Sequence, residues 1–466
     1  MKKNTSKEMI DKSIFRSYDI RGKVGEKLTT GAAYNIGFHL GKLVISKGNN
    51  RVVVGFDGRL STPSLFDALV TGFVDSGVEV TSIGLVPSPV LYFADRKLHP
   101  GASVMITGSH NDKHDNGFKI LVGGKSFFGE HIEDLRKTIF NNHKTNYEIR
   151  SDAKIIRVNV RPFYIEKILQ NININPELKI VWDPGNGSSA GILKEALEKM
   201  PNENYVIHEE IDGNFPNHHP DPTIPENLQQ LMEAVKEKDA DFGIAFDGDG
   251  DRIGVVTKEG RILFGDQLLC IYSKEILSRK PGSIIIADVK ASKTLFDYIE
   301  SLGGRALMWK TGHSHIKTKM IETSAEIAGE MSGHIFFSDG YYGYDDALYA
   351  ALRLIDCITK SGKSLDEIYQ ELPKAYNTPE IRLEVDDAIK FQIVESVRTK
   401  AKMLGLNYID VDGIRANLEF GWWLIRASNT QAALIVRAEA DDDKSLKMVI
   451  KDLNSILKEF DLEVKY

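Results

Sequence analysis

The sequence predicts an α/β fold of four domains around a central cleft: three similar α/β domains, then a smaller α+β domain at the C-terminal end. Two observations predict it. A strand-helix-strand-helix-strand pattern is written three times along the chain, and after residue 372 it gives way to helix and alternating strands. The length of 466 residues fits, since ~100 to 200 residues per domain gives about three or four domains.

Each repeat opens on an apolar run rich in β-branched residues: RVVVGFDGR (51–59), KIVWDPGNG (179–187) and SIIIADVKA (283–291). Continuous apolar runs of this kind read as strands buried on both faces, as in parallel sheets. A helix-like segment follows each run (64–77, 191–200, 293–304), then a second strand (78–84, 205–211, 305–310). After a loop and a further helical stretch comes a third strand (102–107, 240–246, 325–330). The spacing is too long for a solenoid repeat. The fourth domain begins within LPKAYNTPEIRLEV (372–385), and its GWWLIRASNTQAALIVRAEA (421–440) reads as two strands around a polar turn. The predicted domains are 1–154, 155–261, 262–372 and 373–466.

Composition narrows the function classes. With 42% hydrophobic and 27% charged residues the chain has what an ordinary globular core needs. A formal net charge of -7 argues against a nucleic-acid surface, while leaving room for a local basic cleft that takes a small anion. The N-terminal MKKNTSKEMIDKSIFRSYD lacks the apolar stretch of a signal peptide. No run approaches the ~18 to 20 apolar residues of a membrane span. Cys270 and Cys357, far apart in apolar contexts, read as buried thiols rather than a disulfide. A cytoplasmic protein with no membrane or nucleic-acid partner is expected.

Each third strand runs into an unusual polar loop: TGSHN (107–111), DGDGDR (247–252) or GEMSGH (329–334). Ligand sites of open α/β sheets collect at the carboxyl ends of strands, so these equivalent loops are expected to converge. Asp247, Asp249 and Asp251 would repel one another unless a cation neutralised them. An EF-hand is excluded, because Arg252 stands where that loop needs Gly and Lys258 where it needs Glu. A hard divalent ion with oxygen ligands, Mg²⁺, is the simplest partner.

Ser109 lies just after an apolar strand, but Asn111 breaks the G-x-S-x-G pattern of a hydrolase nucleophile. Its neighbours His110, Asn111 and Lys119 instead suit a phosphorylated hydroxyl, whose charge of ~-1.5 to -2 needs cations around it. GGRALMWKTGHSH (303–315) only superficially resembles a P-loop, since Trp309 replaces the second Gly. Lys310, His313 and His315 remain candidates for acid-base work or anion binding. In RASNT (426–430), Arg426, Ser428, Asn429 and Thr430 offer a set of donors for a phosphate.

Taken together, these loops resemble the α-D-phosphohexomutase family, nearest its bacterial phosphomannomutase/phosphoglucomutase branch, through essentially the whole chain. The resemblance is carried by YDIRG (18–22), TGSHN with NGFK (116–119), DGNFPNHHPDP (212–222), DGDGDR, TGHS (311–314), GEMSGH and RASNT. It implies that Ser109 carries a phosphoryl group. Asp247, Asp249 and Asp251 would hold Mg²⁺ with an oxygen of that group, and Arg252 would lie beside it. Lys119 and His313 would exchange the substrate proton, with His110 alongside the serine. Glu330 and Ser332 would bind sugar hydroxyls, with His334 and Lys290 nearby. Arg426, Ser428, Asn429 and Thr430 would hold the phosphate not being transferred, and Tyr18 and Arg21 would approach the site.

The implied reaction is the reversible conversion of hexose 1-phosphate and hexose 6-phosphate, of mannose and glucose. Glucose 1,6-bisphosphate or mannose 1,6-bisphosphate would be the intermediate and activator, and a monomer the family default. Asp112 stands where the family continues with Pro, and Gln431 and Ala432 depart from its phosphate loop. Met331 replaces the Gln typical of phosphoglucosamine mutases, which favours glucose and mannose over glucosamine. Phosphoglucosamine mutase and a sugar-phosphate-binding protein without turnover are the alternatives.

Overall fold

Three times in the chain, apolar runs become strands that pair in the same order. The computed structural model describes residues 10–141, 153–428 and 432–466. In the first sheet Arg51–Phe56 lies between Glu79–Leu85 and Ala102–Ile106 and is parallel to both. In the second, Lys179–Asp183 lies between Glu203–Val206 and Phe242–Phe246, again parallel to both. In the third, Ile284–Asp288 has the same place between Arg305–Trp309 and Ile327–Gly329. Parallel strands covered on both faces need apolar residues at every position. Hence Ala102–Ile106 and Phe242–Phe246 are buried throughout.

In the first two sheets the third strand turns back into an antiparallel neighbour, Asp115–Val122 or Ile253–Thr257. Those two hairpins begin at the loops that hold Ser109 and the three Asp residues. The short strand Ile155–Arg157, just past the boundary expected at 154, pairs in parallel with Glu79–Leu85 and completes the first sheet. The strand expected over 205–211 is instead Glu203–Val206. His208 ends it early, its φ of 50° being incompatible with an extended strand.

The C-terminal residues build an antiparallel sheet in which Ala433–Ala440 pairs with Gly421–Ala427, which pairs in turn with Ile414–Leu418. Helices Lys390–Met403 and Asp443–Leu457 bury Val397, Val449 and Leu453 in one core with Trp423 and Val436. The described chain divides into two compact units. One takes in the residues up to Gly265 with Ser332–Phe337 and Tyr342–Gln370; the other takes in Asp266–Met331, Ser338–Tyr341 and Glu371–Tyr466. The first two sheets thus belong to one unit, and the three parallel strands of the third sheet share the other with the C-terminal sheet. Cys270 and Cys357 are both buried free thiols. Among the described residues no helix is long and apolar enough to cross a membrane.

Within the second unit a buried cation ties the third sheet to the C-terminal one. Arg415 donates from Nη1 to the carbonyls of Val289 and Ala291, both at 2.7 Å, and stacks its guanidinium 3.6 Å from the centroid of Trp422. Burial pushes the Arg415 pKa down to about 9, against the pull of Glu439.

The first unit's core is closed by two helices that meet at their backbones. Ala32, Ile36, Leu40 and Val44 recur every fourth residue on helix Thr30–Ser46, and Leu65, Leu69 and Phe73 on Thr62–Ser76, giving each one buried stripe. Thr29 caps the first helix by accepting from the Ala32 N–H, and Gly77 ends the second in the left-handed region. A Cβ at Gly37 would collide with the Leu69 carbonyl, and one at Gly72 with the Tyr34 carbonyl. Gly72→Val therefore has to push the helices apart, and overpacking of this kind costs about 3 kcal/mol. We expect a correspondingly lower denaturation midpoint; an unchanged midpoint would show that the helices have room to spare.

Candidate active site

The acidic loop joins strand Phe242–Phe246 to strand Ile253–Thr257 and buries all three of its carboxylates. Its glycines have separate tasks. Gly250 takes a φ of 72°, and a Cβ at Gly248 would come within 2.5 Å of the Ser109 carbonyl oxygen. Asp247 Oδ1 accepts the N–H groups of Asp251 and Arg252, at 3.1 and 3.2 Å, which fixes the turn. One oxygen from each of Asp247, Asp249 and Asp251 lies within 4.8 Å of the others.

Burial and the neighbouring carboxylates of Asp249 and Asp251 push the Asp247 pKa well up. Burial disfavours ionisation of Asp249 too, but Lys119 and the bond from Ser88 outweigh it and hold that pKa well down. Lys119 Nζ lies 2.7 Å from Asp249 Oδ2 and is bonded also to Asp251 Oδ2. Burial works against its charge, yet Asp249, Asp251 and Asp247 together raise its pKa far above that of a free lysine. Lys119 can meet only part of the demand. Asp249 Oδ1 and Asp251 Oδ1 are buried and lack a hydrogen-bond partner. Two orphaned carboxylate oxygens in an all-oxygen cluster fit a hard divalent cation.

Ser109 faces this cluster, its Oγ donating to Asp247 Oδ2 at 2.8 Å. Its φ of 50° is a strained conformation for a residue with a Cβ, held here by surrounding bonds. The buried guanidinium of Arg59 supplies most of them. Nη2 donates to the carbonyls of Ser109 and Asn111, both at 2.7 Å, and Nη1 to those of Asp112 and Asp115, at 2.6 and 2.9 Å. Asp57 pairs with Arg59 at 3.3 Å and accepts the Gly108 N–H at 3.2 Å. Arg21 adds bonds to Asn111 Oδ1 and to Asp19, the latter at 2.6 Å. The carboxylate of Asp112 points outward, accepting the His114 N–H at 2.9 Å.

His110 Nδ1 lies 3.2 Å from Ser109 Oγ. Burial, then the charges of Arg252 and Arg21, depress its pKa well below the usual value, so the imidazole is neutral at physiological pH. Arg252 donates from Nε to His334 Nε2 at 3.0 Å. His334 Nδ1 must then carry the proton, and it faces the Asp251 carbonyl and Asp345 Oδ2, each at 3.1 Å. The Asp251 carbonyl thus orients the ring that orients Arg252, with the Asp345 carboxylate close beside it. Ser332 lies partly buried one residue before Gly333, whose carbonyl accepts the Ile253 N–H at 3.0 Å. Tyr18, also partly buried, precedes strand Ile20–Lys23.

In the second unit Lys290 is buried, 2.9 Å from Glu380 and 3.8 Å from Asp288. Burial resists both charges, but the Lys290 ammonium draws the Glu380 pKa down to about 2. Asp288 also accepts from Thr311 Oγ1 and the Met331 N–H, at 3.0 and 3.2 Å. Glu330 accepts the Gly312 N–H at 3.0 Å. Asp412 pairs with Arg426 Nε and accepts the Thr311 N–H, both at 3.0 Å. Lys290, Glu330, Arg426 and the loop before His313 are therefore joined through Asp288 and Asp412. His313 opens helix His313–Thr323, its Nδ1 3.2 Å from Lys317 Nζ. Lys310 is exposed, while burial lowers the His315 pKa. Ser428 is buried and donates its N–H to Ala433 at 2.9 Å. Asn429, Thr430 and Gln431 lie outside the described residues.

Sequence reasoning missed Arg59, Ser88, Asp345, Glu380 and Asp412. Only Asp345 left a signal: in YYGYDDALY a helix start needs one capping Asp, which is Asp346, so the cap does not explain the Asp before it.

Comparison with known proteins shows the family. The models of the phosphoglucomutase/phosphomannomutase α/β/α domains I, II and III match residues 12–146, 162–260 and 264–376, and that of the C-terminal domain matches 380–455. The phosphomannomutase/phosphoglucomutase of Pseudomonas putida is 44% identical over 441 residues, 95% of this chain and 94% of its own. That of Pseudomonas aeruginosa is 43% identical over 449 residues, 96% of each chain. A crystal structure of a phosphoglucomutase/phosphomannomutase family protein from Burkholderia thailandensis superposes with a TM-score of 0.90 at 39% identity, covering 98% of this chain and 99% of the other. With four domain models in order and relatives matched end to end, the chain belongs to the phosphoglucomutase/phosphomannomutase family of α-D-phosphohexomutases.

Proposed function

We propose that this phosphohexomutase interconverts hexose 1-phosphate and hexose 6-phosphate, of mannose and of glucose, through a phosphorylated Ser109. The observation that carries the reading is the serine itself. Its hydroxyl sits on a strained, clamped loop, 2.8 Å from Asp247. Lys119 is bonded to the two neighbouring carboxylates, so the serine lies among the charges a phosphoryl group requires.

The free hydroxyl of a hexose 1-phosphate attacks the phosphorus on Ser109; the bond to Ser109 Oγ breaks, the sugar hydroxyl gives up its proton, and Oγ takes one. The product is a bound 1,6-bisphosphate. It turns round, Ser109 Oγ gives up its proton and attacks the other phosphorus, and hexose 6-phosphate leaves with that proton on the released oxygen. Lys119 and His313 are the groups proposed to exchange these protons. The ion pairs with Asp249 and Asp251 hold Lys119 cationic, facing the phosphoryl charge, and a cation taken up by those carboxylates would loosen its proton. Neutral His110 beside Oγ adds no charge, and Arg252, aimed by His334, meets the phosphate.

Asp247, Asp249 and Asp251, with a phosphoserine oxygen, would hold Mg²⁺, which supplies the charge neutralisation that phosphoryl transfer demands. Glu330 and Ser332 bind sugar hydroxyls, with Lys290 and Tyr18 at the sugar and Arg21 behind the serine loop. Arg426 and Ser428, with Asn429 and Thr430, hold the phosphate that stays. Hydroxyls common to both hexoses serve as handles, so either epimer at the second carbon fits. Glucose 1,6-bisphosphate or mannose 1,6-bisphosphate restores phosphate to Ser109. The proposed setting is the cytoplasm, as a monomer.

Phosphorus NMR of the purified chain with Mg²⁺ and a trace of glucose 1,6-bisphosphate tests the reading, with mannose, glucose and glucosamine 1-phosphates in competition. The first two should convert at comparable rates. Conversion of glucosamine 1-phosphate alone would overturn the specificity, and no conversion would overturn the reaction.

Asp249→Asn should cut turnover at least roughly 100-fold while leaving the fold intact, with a lower thermal midpoint because the ion pair with Lys119 is lost. Full activity in that variant with Mg²⁺ still bound would sink the metal assignment.

Glu380→Gln tests the buried pair of the second unit. A carboxyl with pKa about 2 in place of 4.5 stabilises the fold fully above about pH 4.5 and loses that contribution as pH falls toward 2. The variant should therefore be less stable by about 2 to 3 kcal/mol at pH 7. Measured down to pH 3.5, the gap should narrow; a gap independent of pH would show that Glu380 stabilises by shape rather than charge.

A further inference from the structure

We propose that Asp183, His208 and His218 form a second metal site, for a transition-metal dication of the Zn²⁺ type, chemically distinct from the all-oxygen cluster of the acidic loop. Asp183 ends strand Lys179–Asp183 with its side chain fully buried. His208 Nδ1 lies 2.9 Å from its Oδ1 and His218 Nε2 lies 2.8 Å from its Oδ2. One ligand atom from each residue falls within 4.8 Å of the other two. Ligands at ~2.0 to 2.1 Å in a tetrahedral shell stand about 3.3 Å apart, so small shifts would seat an ion between them. The imidazoles meet edge to face, with centroids 5.1 Å apart at 75°, so the rings do not overlap on the two sides of the carboxylate.

A second observation concerns what the far sides of these groups do. His218 Nδ1 lies 3.0 Å from the backbone carbonyl of His219, a contact only an N–H can make favourably. With an oxygen in hydrogen-bond reach of each ring nitrogen, 3.0 Å at Nδ1 and 2.8 Å at Nε2, His218 is protonated on both, and an ion would take the place of the Nε2 proton. A histidine whose other nitrogen donates to a backbone carbonyl is arranged as metal-binding histidines are. Asp183 is supported in the same way, because its Oδ1 accepts the Gly185 N–H at 2.8 Å. The side chains of His208 and His218 are about one-tenth exposed, 12% and 11%, which leaves an ion a route in from solvent. Two imidazoles and one carboxylate suit Zn²⁺ far better than Mg²⁺, and a water completes the four-coordinate shell.

The site stands behind the catalytic loop. The strand ending in Asp183 pairs directly with Phe242–Phe246, Asp183 opposite Ala245. Gly248 of the acidic loop faces Pro220, two residues beyond His218. An ion held by Asp183, His208 and His218 would pin the segment that backs this loop, a structural role independent of the proposed reaction.

The full chain, stripped with a chelator and dialysed against Zn²⁺ in excess Mg²⁺, should retain one Zn²⁺ per molecule by elemental analysis. His208→Ala and His218→Ala should each weaken Zn²⁺ binding by at least roughly 10-fold, while Asp249→Asn should keep it. Because either histidine variant can lose its fold, Co²⁺ substitution of the unaltered chain gives a second reading, a d–d spectrum of a nitrogen-ligated four-coordinate ion. Retention of Zn²⁺ by folded histidine variants, its loss in Asp249→Asn, or a Co²⁺ spectrum of oxygen ligands alone would each overturn the site.

Discussion

Three carboxylates buried within one turn repel each other, and much of the first unit is arranged around that repulsion. A strand end places Asp247, glycines allow the turn to close, and Lys119 comes from the neighbouring sheet to stand between Asp249 and Asp251. Ser88 gives Asp249 a further bond. Burial makes each carboxylate more demanding, because the low dielectric strengthens repulsion and attraction together. The two oxygens left without partners are a cost of folding that a bound cation would offset. Such sites are held open by the fold rather than by their own preference.

Guanidinium groups recur as the means by which loops are fixed. Arg59 replaces in four hydrogen bonds the stiffness that a proline after Asn111 would give by its ring. Arg415 does similar work in the second unit, bonding two carbonyls beyond a strand end and stacking on Trp422. In both places a planar donor satisfies several strand-end carbonyls at once, which a lysine cannot do. Burial lowers the pKa of both groups, so each is held against its own solvation.

Much of the fold was legible because its determinants are local. Apolar runs such as those at 51–56 and 284–288 can be little else than buried strands, and their repetition in one order announced the repeated sheet. The acidic loop and Ser109 were legible for a different reason: unusual residues in a sharp turn need a chemical explanation. Arg59 was not, because FDGRL reads as a turn and its partners lie 50 or more residues away. Ser88 reaches Asp249 across 161 residues, and Glu380 reaches Lys290 across 90. Spacing along the chain is silent about such meetings. The early end of the strand at Val206 was hidden likewise, since it goes with the positive φ of His208.

The helix pair at Gly37 and Gly72 has a consequence for anyone who sets out to improve this protein. Backbone resting on backbone leaves nothing to fill, so the usual strategy of enlarging core residues is closed there. Freedom for redesign lies at the periphery, where Met403, Leu404 and Leu60 stand in water with most of their surface uncovered. Polar replacements at those positions would improve solubility while leaving the helix contact and the acidic loop untouched. The same division applies to natural drift: the interior of the first unit is fixed by geometry, and variation is free to accumulate on the outside.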